Sequence, residues 1–135
     1  MELKIQVHIK SSINKVWEFW TLPKHITNWN FASDDWQCPF AENDVVVGGK
    51  YRARMEAKDG SFGFDFEYTY EEVIHHQKLV YFIVDGRRVE TTFRENDNSI
   101  ELITRFEPEK LNSPELQQKG WQSILDNFKT YVERN

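Results

Sequence analysis

The sequence has few of the features that mark secreted, membrane-spanning or flexible proteins. It contains one cysteine, Cys38, so an internal disulfide cannot form and a reducing compartment is favoured. No apolar run approaches the roughly 20 residues of a membrane-spanning helix. The N-terminal residues alternate in polarity and lack the apolar core of a signal peptide. Since no repeat or linker interrupts the chain, we expect one cytoplasmic domain comprising residues 1–135.

Positive charge is also scarce. The chain has 17 Lys and Arg residues against 22 Asp and Glu residues, which gives a net charge of −5. Nucleic acids and anionic membranes bind basic surfaces, so neither is expected as a partner. Aromatic residues, in contrast, are abundant, with five Trp, five Tyr and ten Phe. Such side chains fill a core or line a cavity.

Hydrophobic periodicity divides the first third of the chain into a strand, two short helices and an irregular segment. Apolar and polar residues alternate over residues 3–9, which predicts a half-buried strand. A serine before Ile13 can cap a short helix, and Pro23 suits the first turn of a second one. Residues 30–44 carry scattered aromatics without periodicity, and we predict that they are irregular.

The rest of the sequence predicts a series of antiparallel strands followed by a long helix. Asp59-Gly60 and Asp85-Gly86 are two-residue turn signals between alternating segments. Residues 62–70 have Phe or Tyr at every second position, which places these rings on one face of a strand. Ser113-Pro114 begins a helix that reaches about Val132. Because an antiparallel sheet with one apolar face needs a cover, this helix is expected to pack across it.

Five stretches of the sequence resemble one protein family. They are VWEFWTLPKHITNW, DDW, VGGKYRARMEAKDGSFGFDFEYTYEEV, DGRRVETTF and GWQSILDNFKTYVE. Together they are similar to the START-like helix-grip superfamily, which includes birch-pollen-allergen-like proteins and polyketide cyclases. Within it, the chain resembles the branch named after the activator of the heat-shock protein 90 ATPase. The resemblance implies an α+β helix-grip fold, in which a curved antiparallel sheet of about six to seven strands wraps around the long C-terminal helix and two short helices follow the first strand.

The resemblance also implies an elongated apolar cavity between the sheet and the C-terminal helix. The residues predicted to line it are Trp29, Trp36, Met55, Phe64, Phe66, Tyr68, Phe93, Leu102, Gln117, Gly120, Trp121, Ile124 and Phe128. Gln117 falls near the middle of the apolar stripe of the helix. There it either frays toward solvent or supplies a lone hydrogen-bonding group inside the cavity.

Gly120 lies on the flank of the same stripe, where a glycine costs about 1 kcal/mol relative to alanine. Two explanations of this cost are compatible with the sequence. The missing side chain either lets the helix backbone approach another segment closely, or it leaves room at the cavity opening beside Trp121.

No sequence motif specifies a catalytic, metal or cofactor site. Asp34 and Asp35 are interpreted as loop-capping residues rather than as an acid–base pair. Gly48-Gly49 lacks the other residues of a phosphate-binding loop, so we predict a bulge or a sharp bend in the sheet. The histidines lack metal-ligand spacing, and Cys38 has no histidine near it in the sequence.

The charged residues of the strands are predicted to lie on the outer face of the sheet. Asp65 and Glu67 alternate with the inward aromatic residues, which directs both carboxylates outward. Their expected partners across the strands are Arg52, Arg54, Arg87, Arg88 and Arg94. An arginine or glutamate that pointed inward instead would favour chemistry in the cavity.

Three functions are compatible with the sequence. The first is binding of a small hydrophobic or aromatic molecule in the cavity. The second is a cyclase-like or hydrolase-like enzyme, for which the polar candidates are Gln117, Tyr68, Tyr70 and Trp36. The third is a protein-interaction domain similar to the co-chaperones of the family. The ligand, a protein partner and the choice between a monomer and a homodimer stay open.

Overall fold

The computed structural model describes all 135 residues and contains seven strands and three helices. The strands are β1 (Leu3–Ile9), β2 (Trp36–Asn43), β3 (Lys50–Ala57), β4 (Gly63–Ile74), β5 (Lys78–Ile83), β6 (Arg88–Asn96) and β7 (Ser99–Phe106). The helices are α1 (Ile13–Thr21), α2 (Pro23–Ile26) and α3 (Pro114–Arg134). Two short helices therefore follow the first strand and one long helix ends the chain, as the resemblance implied.

All seven strands form one antiparallel sheet in the order β1-β7-β6-β5-β4-β3-β2. The sheet curls into a half-barrel around α3, which confirms the α+β helix-grip fold. Side chains alternate between the two faces of the sheet, and those on the inner face are buried. In β3 these are Tyr51, Ala53, Met55 and Ala57. No helix combines the length and the apolarity that crossing a membrane requires.

Strand β2 corrects the prediction that residues 30–44 are irregular. Residues 36–43 form an edge strand that pairs with β3, and the register shifts between Gln37 and Phe40. Pro39 lies inside this shift, where a missing N–H donor is tolerated because the strand is at the edge. The shift removes the alternation of apolar residues, so periodicity could not identify this strand.

Glycines close the predicted turns. Gly60 and Gly86 have φ values of +79° and +93°, so the chain turns at both Asp-Gly pairs as predicted. The connections are longer than the predicted two residues, because β3 ends at Ala57 before β4 begins at Gly63, and β5 ends at Ile83 before β6 begins at Arg88. Gly48-Gly49 forms a sharp bend between β2 and β3, as predicted. The bend pairs with β4, because the Gly48 N–H donates to the Tyr70 carbonyl at 2.9 Å and the Tyr70 N–H donates to the Gly49 carbonyl at 3.0 Å.

Helix α3 is fixed against the free edge of β1 by glutamines that the sequence analysis did not single out. Gln118 Nε2 donates to the Lys4 carbonyl at 2.9 Å. Gln122 Nε2 donates to the Gln6 carbonyl at 3.1 Å, and its Oε1 accepts from the Gln6 N–H at 3.3 Å. These bonds satisfy backbone groups that an edge strand leaves unpaired. One face of α3 is thereby hydrogen-bonded to β1, while another face lies over the inner face of the sheet.

Candidate functional site

A cavity of about 470 Å³ lies between the inner face of the sheet and α3. It is partly open to solvent, and its exposed lining residues are Ala32, Ser33, Phe64 and Asn112. Of its 23 lining residues, 15 are hydrophobic. Both the size and the predominantly apolar wall with a few polar groups are typical of small-molecule sites.

Most of the residues predicted to line the cavity lie on its wall. These are Trp29, Trp36, Met55, Phe64, Phe66, Tyr68, Gln117, Gly120, Trp121 and Ile124. Phe93, Leu102 and Phe128 do not, because they are buried in the hydrophobic core. Phe93 packs edge-on against Trp17 and Phe128 against Trp20, with ring centroids 5.1 Å and 5.0 Å apart. The tryptophans of α1 thus occupy space that the prediction assigned to the cavity.

Stacked aromatic rings make the cavity wall rigid. Trp121 of α3 stacks on Phe106 with ring centroids 3.9 Å apart and planes 5° apart. On the sheet, Tyr68 lies between the rings of Tyr51 and Tyr81, at centroid distances of 4.3 Å and 3.7 Å. Rings held in this way present fixed apolar surfaces to the cavity.

The tyrosine cluster behind this wall consists of Tyr51, Tyr68, Tyr70 and Tyr81. Tyr70 Oη donates to Asn43 Oδ1 at 2.8 Å and lies 3.4 Å from Tyr68 Oη. Asn30 Nδ2 donates to Tyr51 Oη at 3.2 Å. Burial raises the pKa of all four hydroxyls, that of Tyr70 to about 12. The cluster therefore offers the cavity neutral hydroxyls at physiological pH.

Gln117 holds the loop between β7 and α3. Its Oε1 accepts from the Glu109 N–H at 2.7 Å, and its Nε2 donates to the carbonyls of Glu109 and Asn112 at 3.0 Å and 2.8 Å. The Glu109 carboxylate in turn accepts from the N–H of Leu111 and from Asn112, and these bonds lower its pKa. Gln117 therefore lies on the cavity wall as predicted, but its amide is bonded to the loop, so it is neither frayed toward solvent nor a lone hydrogen-bonding group.

Arg87 lies on the cavity wall, although it was predicted on the outer face of the sheet. Arg87 and Glu109 are the only charged residues that line the cavity. Residue 87 is separated from the buried Val89 and Phe93 by even numbers of residues, so alternation along the strand places all three side chains on the inner face. This pattern in the sequence could have predicted the inward position of Arg87. Arg54, in contrast, contacts Asp65 across the strands as predicted, with Nη1 3.6 Å from Oδ1.

Gly120 lines the cavity where the structure leaves open space. A Cβ added at this glycine would meet no heavy atom within 4 Å, so close backbone packing does not explain it. Gly120→Ala is expected to raise the free energy of unfolding by about 1 kcal/mol, because only the helix penalty of glycine is removed. Urea denaturation measures this change. Lys119→Ala, at the neighbouring exposed position, should be nearly neutral, and a destabilised Gly120→Ala would contradict the open space.

A curled sheet that grips one long helix around an apolar cavity defines the START-like class of proteins. The sequence model of one family in this class, described as Activator of Hsp90 ATPase homolog 1-like protein, matches residues 10–133. The chain therefore belongs to this family, the AHSA-type branch of the START-like superfamily. No curated protein matches the chain.

Solved structures support the same assignment. The AHSA1-like protein from Aeromonas hydrophila is 42% identical with a TM-score of 0.93, over 99% of this chain and 93% of that chain. Chr148 from Cytophaga hutchinsonii is 41% identical with a TM-score of 0.85, over 99% and 93% of the two chains. Protein CV1439 from Chromobacterium violaceum shares the fold at a TM-score of 0.87, with 19% identity over 99% and 98%. The family that the five stretches indicated is thereby confirmed.

Proposed function

We propose that this protein binds a small hydrophobic or aromatic molecule in the cavity between the sheet and α3. The observation that carries the proposal is the cavity of about 470 Å³ with its largely hydrophobic wall. Protein interiors are normally packed so densely that few voids exceed a water molecule. The size of this cavity and its largely apolar wall, with a few polar groups, suit a bound apolar molecule.

The hydroxyl of Tyr51 adds a polar contact for such a molecule. Its oxygen accepts from Asn30 Nδ2, while its proton has no acceptor within hydrogen-bond distance in the protein. Both residues line the cavity. A carbonyl or hydroxyl oxygen of a ligand can accept this proton, and a buried hydrogen bond of this kind orients a ligand in an otherwise apolar site.

Uptake of N-phenyl-1-naphthylamine, a neutral dye that fluoresces in apolar surroundings, tests the proposal. We expect saturable binding to the wild type. Phe66→Ala removes an aromatic ring from the cavity wall. It should weaken dye binding about tenfold, because apolar contact area is lost. Phe82→Ala is the matched control, because Phe82 belongs to the opposite face of the sheet and is exposed.

Two results would contradict the proposal. One is dye binding that does not saturate or that weakens equally in both phenylalanine variants, since the dye would then be on the outer surface. The other is native mass spectrometry of the protein from its own host that finds no small molecule, together with absent dye uptake. That outcome would favour the protein-interaction function that the family name points to.

A further inference from the structure

Arg87 is the only cationic residue on the cavity wall. It follows Gly86 in the turn between β5 and β6, and its side chain is 20% exposed. The side chain is therefore largely withdrawn from solvent, while Arg87 borders the cavity. A cation placed in this way interacts more strongly with an anion than one on the open surface does.

Two contacts fix the guanidinium group but use only part of its hydrogen-bonding capacity. Nε donates to Asp85 Oδ2 at 2.8 Å, and Nη1 donates to the Glu107 carbonyl at 3.1 Å. A guanidinium carries five N–H donors, of which Nη2 supplies two. Nη2 has no partner in the protein, so a planar and already oriented pair of donors is free to bind a ligand.

The carboxylates around Arg87 do not use these free donors. The Glu109 carboxylate accepts from the N–H groups of Leu111 and Asn112, at 2.8 Å and 2.9 Å. The Glu107 carboxylate accepts from the backbone N–H of Arg88 at 2.8 Å. Asp85 forms the one direct ion pair with Arg87, through Nε, and its own side chain is 49% exposed to screening water. Arg87 also contributes to the lowered pKa of Glu109 through space, without an ion pair between the two side chains.

We infer that the ligand carries a carboxylate, which accepts hydrogen bonds from the free donors of Arg87 while its apolar part lies against Phe66 and Trp121. This inference rests on the proposed function, since it names the ligand class of the same cavity. Hydrogen bonds with an ionised donor or acceptor are about twice as strong as neutral ones, and a carboxylate adds the Coulomb attraction between two opposite charges. A carboxamide of the same shape is disfavoured, because its NH₂ group would face the guanidinium donors.

The test compares 2-naphthoate with 2-naphthamide, two ligands that differ only in this group, by isothermal titration calorimetry. The wild type is expected to bind the carboxylate about tenfold more tightly. Arg87→Met should abolish this preference, and Arg87→Lys, which keeps the charge without the planar fork, should retain part of it. Arg88→Met is the matched control, because Arg88 is the adjacent residue and contacts Glu90. It should keep the full preference.

The outcomes separate this inference from the proposed function. Equal affinity of the wild type for both ligands, or an unchanged preference in Arg87→Met, overturns the role of Arg87 and leaves apolar binding in place. No binding of either ligand or of N-phenyl-1-naphthylamine to the wild type overturns the proposed function and the inference with it. Arg88→Met should retain the affinity of the wild type for the neutral dye, and saturable dye binding by Arg87→Met shows that its cavity is intact.

Discussion

Raising the pH from 10 to 12 is expected to unfold the protein in one steep transition. Burial raises the pKa of every hydroxyl in the tyrosine cluster, so the unfolded chain loses these protons near pH 10 while the folded protein retains them. This part of the stability is fully present below pH 10 and is lost as the pH rises through the folded-state pKa values. For Tyr70, the shift from 10.0 to about 12 corresponds to about 3 kcal/mol. The pKa values of Tyr51, Tyr68 and Tyr81 shift in the same direction, so each of these hydroxyls adds to the loss.

Circular dichroism and the ultraviolet absorbance of tyrosinate, recorded on the same samples, check this result. The absorbance change of the four cluster tyrosines should coincide with the loss of the helix signal, because their ionisation requires unfolding; Tyr131, the fifth tyrosine, lies outside the cluster and is replaced by phenylalanine in these samples. Tyr68→Phe is an informative variant, since it keeps the stacked ring and loses a hydroxyl whose one contact, with Tyr70 Oη, is 3.4 Å long. As the pH rises, the unfolding free energy of this variant should fall less steeply than that of the wild type, and the two slopes should differ by about 1.4 kcal/mol per pH unit. Tyrosinate absorbance that rises before the helix signal falls would mean that water reaches the hydroxyls in the folded protein.

The parts of the fold that have one buried face could be predicted from the sequence. Residues 50–57 alternate regularly, and they form β3 with the predicted residues inward. Residues 36–43 form a strand only through their pairing with β3, and the register shift at Pro39 hides the alternation. A bulge between Tyr70 and Glu72 likewise lets β4 continue to Ile74 beyond its aromatic repeat. Pairing between distant segments stabilises these residues, and local pattern does not reveal it.

The cavity wall was predictable in outline, because the resemblance located it and the stripe on α3 identified one side. The choice between wall and core was not predictable. Phe66 lines the cavity while Phe93 is buried against Trp17, although both are inward phenylalanines of the same sheet. Which of them is covered depends on where α1 crosses the sheet. The role of Gln117 likewise depends on the path of residues 107–113, which sequence periodicity does not determine.

Helix α3 uses one face for its attachment to the sheet and another face for the cavity. Gln118 and Gln122 of α3 are hydrogen-bonded to β1, so they anchor the helix through a face other than the one that lines the cavity. Gly120 and Gln117 lie on the cavity face, next to Trp121. Changes at Gly120 should therefore act on the cavity more than on the stability of the helix.

Gly120→Phe is expected to lower the affinity for apolar ligands by more than about tenfold while the protein remains folded. An added Cβ meets no heavy atom within 4 Å, so the new ring can extend into the space beside Trp121 and Ile124 without displacing the backbone. Phenylalanine is also the better helix former, by about 0.5 kcal/mol. Fluorescence titration with N-phenyl-1-naphthylamine measures the loss, and urea denaturation measures the stability.

Lys119→Phe is the matched control, because it adds the same ring at the neighbouring exposed position of α3 and should leave the affinity unchanged. Gly120→Phe should weaken 2-naphthoate and 2-naphthamide by the same factor, since the ring removes space that both ligands need. Arg87→Met should instead remove only the difference between them. If Gly120→Phe bound the dye as tightly as the wild type does, the dye would bind outside the cavity. The expected pair of results would mean that α3 determines which ligand shapes fit the cavity and that the β5–β6 turn determines the preference for a charged ligand.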